Sequence, residues 1–292
     1  MGRMVEFTCN LCGARNQVEH FASEPATCAC GSNVRIRALI HLLSLELFGH
    51  SVPACDFPRL KGVRGVGLSD QECYARILAG KFDYTNTYYD REPRLDIRAP
   101  APGFGGACDF ILAADVIEHI APPIEGALAA VRALLKPNGF FGVTVYCHPS
   151  DRMREHFPDL SEFRIVPLGG RDVLINRRRD GSLEIRDDLM FHGGSGETLE
   201  MREFGISALE AALRSAGFGS VHFLTANVPE WGILFDHDTS QPLVARTGEF
   251  ALGRCAQSQL FEAWRDAEDR AWKAAEEVRG AQKSRGLRWR LR

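Results

Sequence analysis

No apolar run in this 292-residue chain approaches the length of a membrane span, and the N-terminus lacks the unbroken apolar core of a secretion signal. A basic stripe is missing too. The formal charge is −3, and the Arg177–Arg179 run and the basic C-terminal SRGLRWRLR make no long stripe, so nucleic acid is disfavoured as the main partner. Internal repeats are absent. Cysteine is not scarce, but its count of nine is odd and its spacing uneven, which argues against a disulfide framework. A soluble, cytoplasmic protein with no transmembrane segment is the expectation. With 45% hydrophobic and 25% charged residues, the composition supports one substantial core plus smaller attachments.

Cysteines crowd the N-terminus. Cys9 and Cys12 form C-x2-C, and after fifteen residues Cys28 and Cys30 form C-x-C. Four thiolates delivered by two tight turns suit tetrahedral zinc, at roughly 2.3 Å per Zn–S bond. A closed four-sulfur shell leaves no position for substrate, so the role expected of Zn2+ is structural. The segment is poor in apolar residues, which favours a metal over four free thiols. Cys55, Cys73, Cys108, Cys147 and Cys255 lie in apolar or helical contexts and read as packing.

The spacing of apolar residues divides the chain into a knuckle module over 1–33, a linking helix within 34–58, a main α/β domain over 59–255 and a C-terminal segment over 256–292. Ile36, Leu39, Ile40, Leu43 and Leu47 mark the linking helix, with Ser32 as its expected cap and Gly49 as its stop. From about residue 60, strand-like and helix-like patterns alternate, which predicts a parallel sheet with helices on both faces. VRGVGLSD, FDYTNTYY, CDFILAAD and FFGVTVYC are the strand candidates. Ser69 with Glu72, and Ser207 with Glu210, resemble capping boxes. Residues 148–203 interrupt the alternation and read as an insertion on the acceptor side, with a hairpin turning at Asp180-Gly181. VHFLTA, WGILFD and PLVAR predict terminal strands. Leu260, Trp264, Ala267, Ala271, Ala274 and Val278 recur at spacings of four and three. They predict an amphipathic helix packing on its own domain, with a homodimer seam as the alternative.

Two features give the main domain chemistry. Gly65-Val66-Gly67-Leu68-Ser69-Asp70 is a glycine turn after a strand, where backbone can approach a ligand and a helix start can meet an anion. Asp96 in PRLDI and Asp115 at the end of CDFILAAD then follow at intervals that would bring them to the same sheet edge. Taken with LLKPNGFFGVTV, this series resembles the class I S-adenosylmethionine-dependent methyltransferases, whose fourth strand, acidic loop and fifth strand DVIEHI and LLKPNG match. The chain is also similar to a subgroup of bacterial methyltransferase-domain proteins. The motifs shared with it are a knuckle ending in CGS, VGLSD, YTNTYYDREPRLDI, DVIEH, EHFPDL and FHGGSGETLEMR, across roughly residues 7–250.

The resemblance implies a Rossmann-like fold and S-adenosyl-L-methionine as cofactor. Gly65, Gly67, Ser69 and Asp70 would then line its methionine end, and Asn86 and Thr87 would lie near the ribose. Asp96 and Ile97 would meet the adenine, and Asp115 and Val116 the sulfonium. The glycine turn departs from the acid-x-glycine-x-glycine pattern, and the second strand lacks a terminal acid for the ribose, so neutral partners would replace a charge-assisted bond.

Methyl transfer requires an oriented acceptor and, for a hydroxyl, a group that removes its proton. His119, His148 and His192 are the catalytic candidates, with His156, Glu200 and Arg202 as acceptor-binding residues. A structural hydrogen bond is the competing role for His119, and a plain surface loop for the glycine-rich HGGSGETLEMR stretch. A sugar or glycan hydroxyl is the first acceptor expected, because such relatives resemble proteins found with glycan-assembly enzymes. A natural-product or other small metabolite is the second. A degenerate methyltransferase serving as a binding or assembly module is the rival from outside catalysis. A nicotinamide enzyme is disfavoured because the full GxGxxG fingerprint is missing.

Overall fold

The computed structural model describes residues 4–19, 27–99, 105–192, 198–235, 240–252 and 254–289. The N-terminal segment forms a two-stranded antiparallel hairpin, β1 (Val5–Thr8) and β2 (Arg15–Val18). Helix α1 (Val34–Phe48) follows. Its N-cap is Asn33, whose Oδ1 accepts from the Ile36 amide at 3.0 Å, so the cap falls one residue after the expected Ser32. Gly49 ends it in the left-handed region at φ 75°. More of α1 is buried than one stripe, since it lies across the central sheet against β5, β6 and β16, defined below.

That sheet is built from β3 (Leu60–Leu68), α2 (Glu72–Lys81), β4 (Phe82–Thr87), β5 (Cys108–Ala114), α3 (Ile124–Leu134) and β6 (Leu135–Val145). The insertion follows. It comprises β7 (Cys147–His148), β8 (Arg154–Glu155), β9 (Glu162–Leu168), β10 (Arg171–Arg177), β11 (Leu183–Arg186), β12 (Phe191–His192), β13 (Thr198–Leu199) and β14 (Arg202–Gly205). The chain closes with α4 (Ile206–Ser215), β15 (Ser220–Phe223), β16 (Gln241–Arg246) and α5 (Arg254–Trp289).

The main sheet has six strands in the order β15-β16-β6-β5-β3-β4, with β16 running against the rest. Alternate residues of β5 face opposite sides, as the two-residue period of a strand dictates. Phe110 and Leu112 pack with Leu39, Leu43, Phe140 and Val244 on the α1 face. Ile111 and Ala113 pack with Leu128, Val131, Leu209 and Leu213 on the α3–α4 face. The fold is therefore a doubly wound α/β sheet covered on both faces, as the sequence pattern predicts.

The knuckle module has no separate interior, because Phe7, Cys9 and Leu11 join the same apolar cluster as α1 and Phe110. Three expectations need correction. Neither capping box forms. Helix α2 starts after Gln71 and α4 after Gly205, both without a side-chain cap, because Ser69 lies two residues before the α2 cap position and Ser207 already lies inside α4. Within WGILFD, Trp231 ends a 3-10 turn over Pro229–Trp231 and Ile233 bridges to Val228, so residues 231–235 form no strand, and Asp236 lies outside the described residues. On α5, Ala256 is buried and Leu260 packs on the main cluster, but Phe261, Trp264, Trp272 and Val278 are exposed. Among its described side chains, those of the first turns dock on the domain. The hairpin at Asp180-Gly181 does form, between β10 and β11, with Gly181 at φ 85°. Among the described residues no helix is long and apolar enough to cross a membrane.

Candidate functional site

After β3 the chain winds one way to β4, then crosses to the other side for β5 and β6. The carboxyl ends of β3 and β5 therefore splay at a topological switch point, where a crevice is expected. A cleft of about 1110 Å³ lies there. Two residues on its floor mark it. Ser69, just past β3, and Asp115, just past β5, are the only non-glycine residues with positive φ among those described, at 58° and 52°. Such backbone is costly for a residue carrying a Cβ and persists where surrounding contacts enforce it.

The contacts around Ser69 are explicit. Its amide donates to the Thr87 carbonyl at 2.7 Å, and the Asp70 amide donates to Asn86 Oδ1 at 2.9 Å. Asn86 Nδ2 donates back to the Asp70 carbonyl at 2.8 Å, and Thr87 Oγ1 to the Gly67 carbonyl at 2.7 Å. Asn86 thus pins the turn, and only Thr87 of that pair lines the cleft. Asp70 is buried behind the turn, where Tyr84 donates its hydroxyl to Oδ2. Burial pushes the Asp70 carboxyl up to about 7.

Gly65 and Gly67 also differ from expectation. A Cβ at Gly67 would strike the Tyr84 hydroxyl and the Asp70 carboxylate, and one at Gly65 would strike the Phe110 ring. Their smallness serves packing against the sheet, and neither lines the cleft, whereas Ser69 does.

Thr87, Tyr88, Leu95, Asp96, Ile97 and Arg98 form one wall. Asp96 accepts from the Arg98 amide at 2.9 Å and from the Arg98 guanidinium at 2.9 and 3.1 Å. Those bonds hold its carboxyl below the usual range. The Asp115 side, with Val116, forms the floor. There Asp115 Oδ1 accepts from Thr144 Oγ1 at 3.0 Å, and Oδ2 pairs with Arg35 of α1.

The opposite wall carries acids and imidazoles. Glu118, His119 and His192 line the cleft. The His119 and His192 rings meet edge to face with centroids 4.8 Å apart. His119 Nδ1 lies 2.9 Å from the Leu199 carbonyl, and His192 Nε2 lies 2.6 Å from Glu200 Oε2. Burial lowers the His119 pKa and pushes the Glu118 carboxyl up to about 8. Glu200 also takes His156 Nε2 at 2.9 Å. Its burial alone would raise its pKa, but the hydrogen bonds from His192 and His156 outweigh that and lower it.

His156, Glu200 and Arg202 stand behind this wall and do not line the cleft. Arg202 is fully buried, donating to Glu155 Oε1 at 2.7 Å and to the Ile117 carbonyl at 2.9 Å, so it braces the loop after β5. His148 does not line the cleft either, because β7 pairs with β14 and leaves it exposed. The expected glycines of HGGSGETLEMR at 193–196 lie outside the described residues. Sequence reasoning assigned no role to Arg35, Glu118 or the exposed Asp90, all of which line the cleft. Glu118 stood inside the quoted DVIEHI motif, so its signal was present. Arg35 sits in an apolar helical run that reads as packing.

At the N-terminus the four sulfurs of Cys9, Cys12, Cys28 and Cys30 lie within 4.8 Å of one another, with pairs at 3.6 and 3.7 Å. Tetrahedral bonds of about 2.3 Å put sulfurs about 3.8 Å apart, so the donor set fits zinc. Beside it the fully buried Arg37 bonds the Gly232 carbonyl at 2.8 Å and the Ser32 carbonyl at 3.2 Å, and lies over the Phe7 ring. Among the described residues it meets no carboxylate.

No protein-family model matches the chain, and no curated protein matches its sequence. Solved structures with a similar chain path include a 1,6-didemethyltoxoflavin N1-methyltransferase from Burkholderia thailandensis, 16% identical, covering 74% of this chain and 78% of that one at a TM-score of 0.41. The CcbJ methyltransferase from Streptomyces caelestis is 13% identical over 74% of this chain and 89% of that one, at 0.42. An S-adenosylmethionine-dependent methyltransferase from Clostridium acetobutylicum is 14% identical over 65% and 85%, at 0.40.

Proposed function

We propose that the chain is a methyltransferase that binds S-adenosylmethionine in the cleft between β3 and β5 and methylates a small polar acceptor, first of all a sugar or glycan hydroxyl. The observation that carries this reading is the paired left-handed backbone of Ser69 and Asp115 at the ends of adjacent parallel strands, on the floor of a cleft large enough for a cofactor and an acceptor. The wall from Thr87 to Arg98 suits the adenosine end, with Leu95 and Ile97 as apolar surface and Asp96 as acceptor for the adenine amino group. Asp90 supplies the acid for the ribose that the strand itself lacks. Asp115 and its partner Arg35 suit the amino-acid end, and His119 and His192 face the acceptor.

Zinc belongs to the same proposal as a structural ion held by Cys9, Cys12, Cys28 and Cys30. Four thiolates around one divalent ion carry a net negative charge, which gives the buried Arg37 the counter-charge that no carboxylate provides. The ion supplies stability rather than chemistry.

Calorimetric titration with S-adenosylhomocysteine tests the assignment. Saturable binding at one site per chain is expected, followed by incorporation of labelled methyl into a pool of sugars and small metabolites. A chain that binds no S-adenosylhomocysteine is not a methyltransferase. One that binds it but transfers no methyl is the binding module instead.

A further inference from the structure

We propose that Glu118, His119 and His192 form a second metal centre, one that takes a divalent transition-metal ion at the acceptor wall of the cleft. One donor atom from each of the three residues lies within 4.8 Å of the others. Among the described residues, the hydrogen bonds of each ring occupy one nitrogen and leave the other to a ligand. A carbonyl can only accept, so the bond to Leu199 fixes the proton of His119 on Nδ1 and leaves Nε2 as a lone pair. The Glu200 carboxylate likewise takes the His192 Nε2 proton, so Nδ1 is the nitrogen that ring offers to an ion. Metal-binding histidines are oriented in this way, by an outer acceptor on the nitrogen that does not bind the ion.

Glu118 completes the set. It is 3% exposed, and its Oε2 has no hydrogen-bond partner among the described residues. Its Oε1 stands 3.9 Å from His119 Nε2, beyond hydrogen-bonding reach. A buried carboxylate oxygen without a donor is expensive, and a cation beside it removes that cost. Arg35 and Arg202 lie near enough to favour the ionised form of Glu118, yet burial still outweighs them, while Arg202 bonds Glu155 and Arg35 pairs with Asp115.

Two imidazoles and one carboxylate suit zinc, cobalt, iron or manganese in the divalent state better than magnesium or calcium, which favour all-oxygen shells. Three protein ligands leave coordination positions open, and all three residues line the cleft, so those positions face the acceptor. The chemical consequence rests on the methyl-transfer reading. An acceptor hydroxyl bound to the ion would lose its proton to solvent more readily. Its oxygen would then form the new C–O bond as the methyl–sulfur bond breaks, with that bond's electrons remaining on sulfur.

Cobalt(II) titration of the full-length, zinc-loaded chain tests the site, read by calorimetry and by visible absorption. One equivalent bound without sulfur-to-metal charge-transfer bands is expected, since those bands would place cobalt on the cysteines instead. Glu118→Gln and His192→Ala should weaken that binding by at least about tenfold, and the outer-acceptor variant Glu200→Gln by about 10- to 100-fold. Wild-type protein that takes up no cobalt outside the cysteines overturns the inference, as does undiminished affinity in Glu118→Gln and His192→Ala. S-adenosylhomocysteine binding is measured in parallel. A chain that binds it but not cobalt loses only this inference, and one that binds cobalt but not S-adenosylhomocysteine loses only the proposed function.

Discussion

Arg35 reaches from the first turn of α1 to pair with Asp115, the residue that leaves β5 in a left-handed conformation. The bond ties the covering helix to the floor of the cleft. Both side chains are 13% exposed, so the pair is shielded from solvent and stronger than a surface salt bridge. Arg35→Ala should cost about 2 kcal/mol in chemical denaturation, because it leaves a carboxylate largely buried with Thr144 as its one side-chain donor among the described residues. Asp115→Asn should cost less, since asparagine tolerates the left-handed region and can still accept from Thr144. The double variant should show a coupling of at least about 0.5 kcal/mol. Strict additivity would mean that the pair does not hold helix and floor together.

Asp70 makes the fold sensitive to pH. Its carboxyl is raised by burial from an ordinary value of 3.8 to about 7, so the folded chain holds the proton more tightly than the unfolded chain. Well below pH 3.8 both states are protonated and the group costs nothing. As pH climbs towards 7 the unfolded state ionises freely while the folded state resists, so stability is lost across that window, by up to about 4 kcal/mol. Asp70→Asn keeps an acceptor for the Tyr84 hydroxyl and removes the titration. The stability advantage of Asp70→Asn over wild type should therefore grow between pH 4 and pH 8 in urea denaturation. A difference that stays constant with pH would show that Asp70 is ionised throughout.

The sheet was legible in the sequence because its signals are local. CDFILAAD and FFGVTVYC are apolar runs of strand length, and the helix between them carries Ile124, Leu128 and Val131 at helical spacing. The cleft lining was legible where a motif carried it, as at Ser69, Thr87, Asp96, Ile97, Asp115, Val116, His119 and His192. It was obscured where a side chain has two possible tasks. Asn86 could serve a ribose or the β3–α2 turn, and the turn takes it, because its amide can satisfy the Asp70 backbone on both sides. Gly67 could admit a ligand or a side chain, and Tyr84 from the neighbouring strand fills the space. Such choices depend on contacts between residues 16 or more positions apart, which no local pattern encodes.

Gly67→Ala separates those two roles. Its Cβ would collide with the Tyr84 hydroxyl and the Asp70 carboxylate, both held in a packed interior. Overpacking of this kind costs about 1–3 kcal/mol. The variant should lose that much in denaturation while its Ser69 turn still binds S-adenosylhomocysteine within a few-fold of wild type. A large loss of affinity with unchanged stability would restore the glycine to the cofactor contact that the sequence suggested.

The cysteine cluster and Arg37 give the sharpest test of charge. Neutral thiols would leave a fully buried guanidinium with carbonyls, one hydroxyl and the Phe7 ring, and desolvation would weigh against it. Thiolates around zinc would balance it. Elemental analysis should find one zinc held by these cysteines, lost in Cys9→Ser. Because Phe7, Cys9 and Leu11 belong to the same apolar cluster as α1, zinc removal should also lower the melting temperature of the whole domain, not merely fray β1 and β2. In apo protein Arg37 becomes the liability. Arg37→Met, which keeps much of the volume and removes the charge, should therefore destabilise the zinc-loaded chain and destabilise the metal-free chain far less. Equal effects on both forms would mean that the cluster carries no charge for Arg37 to balance, and the case for thiolate-bound zinc would lose its electrostatic support.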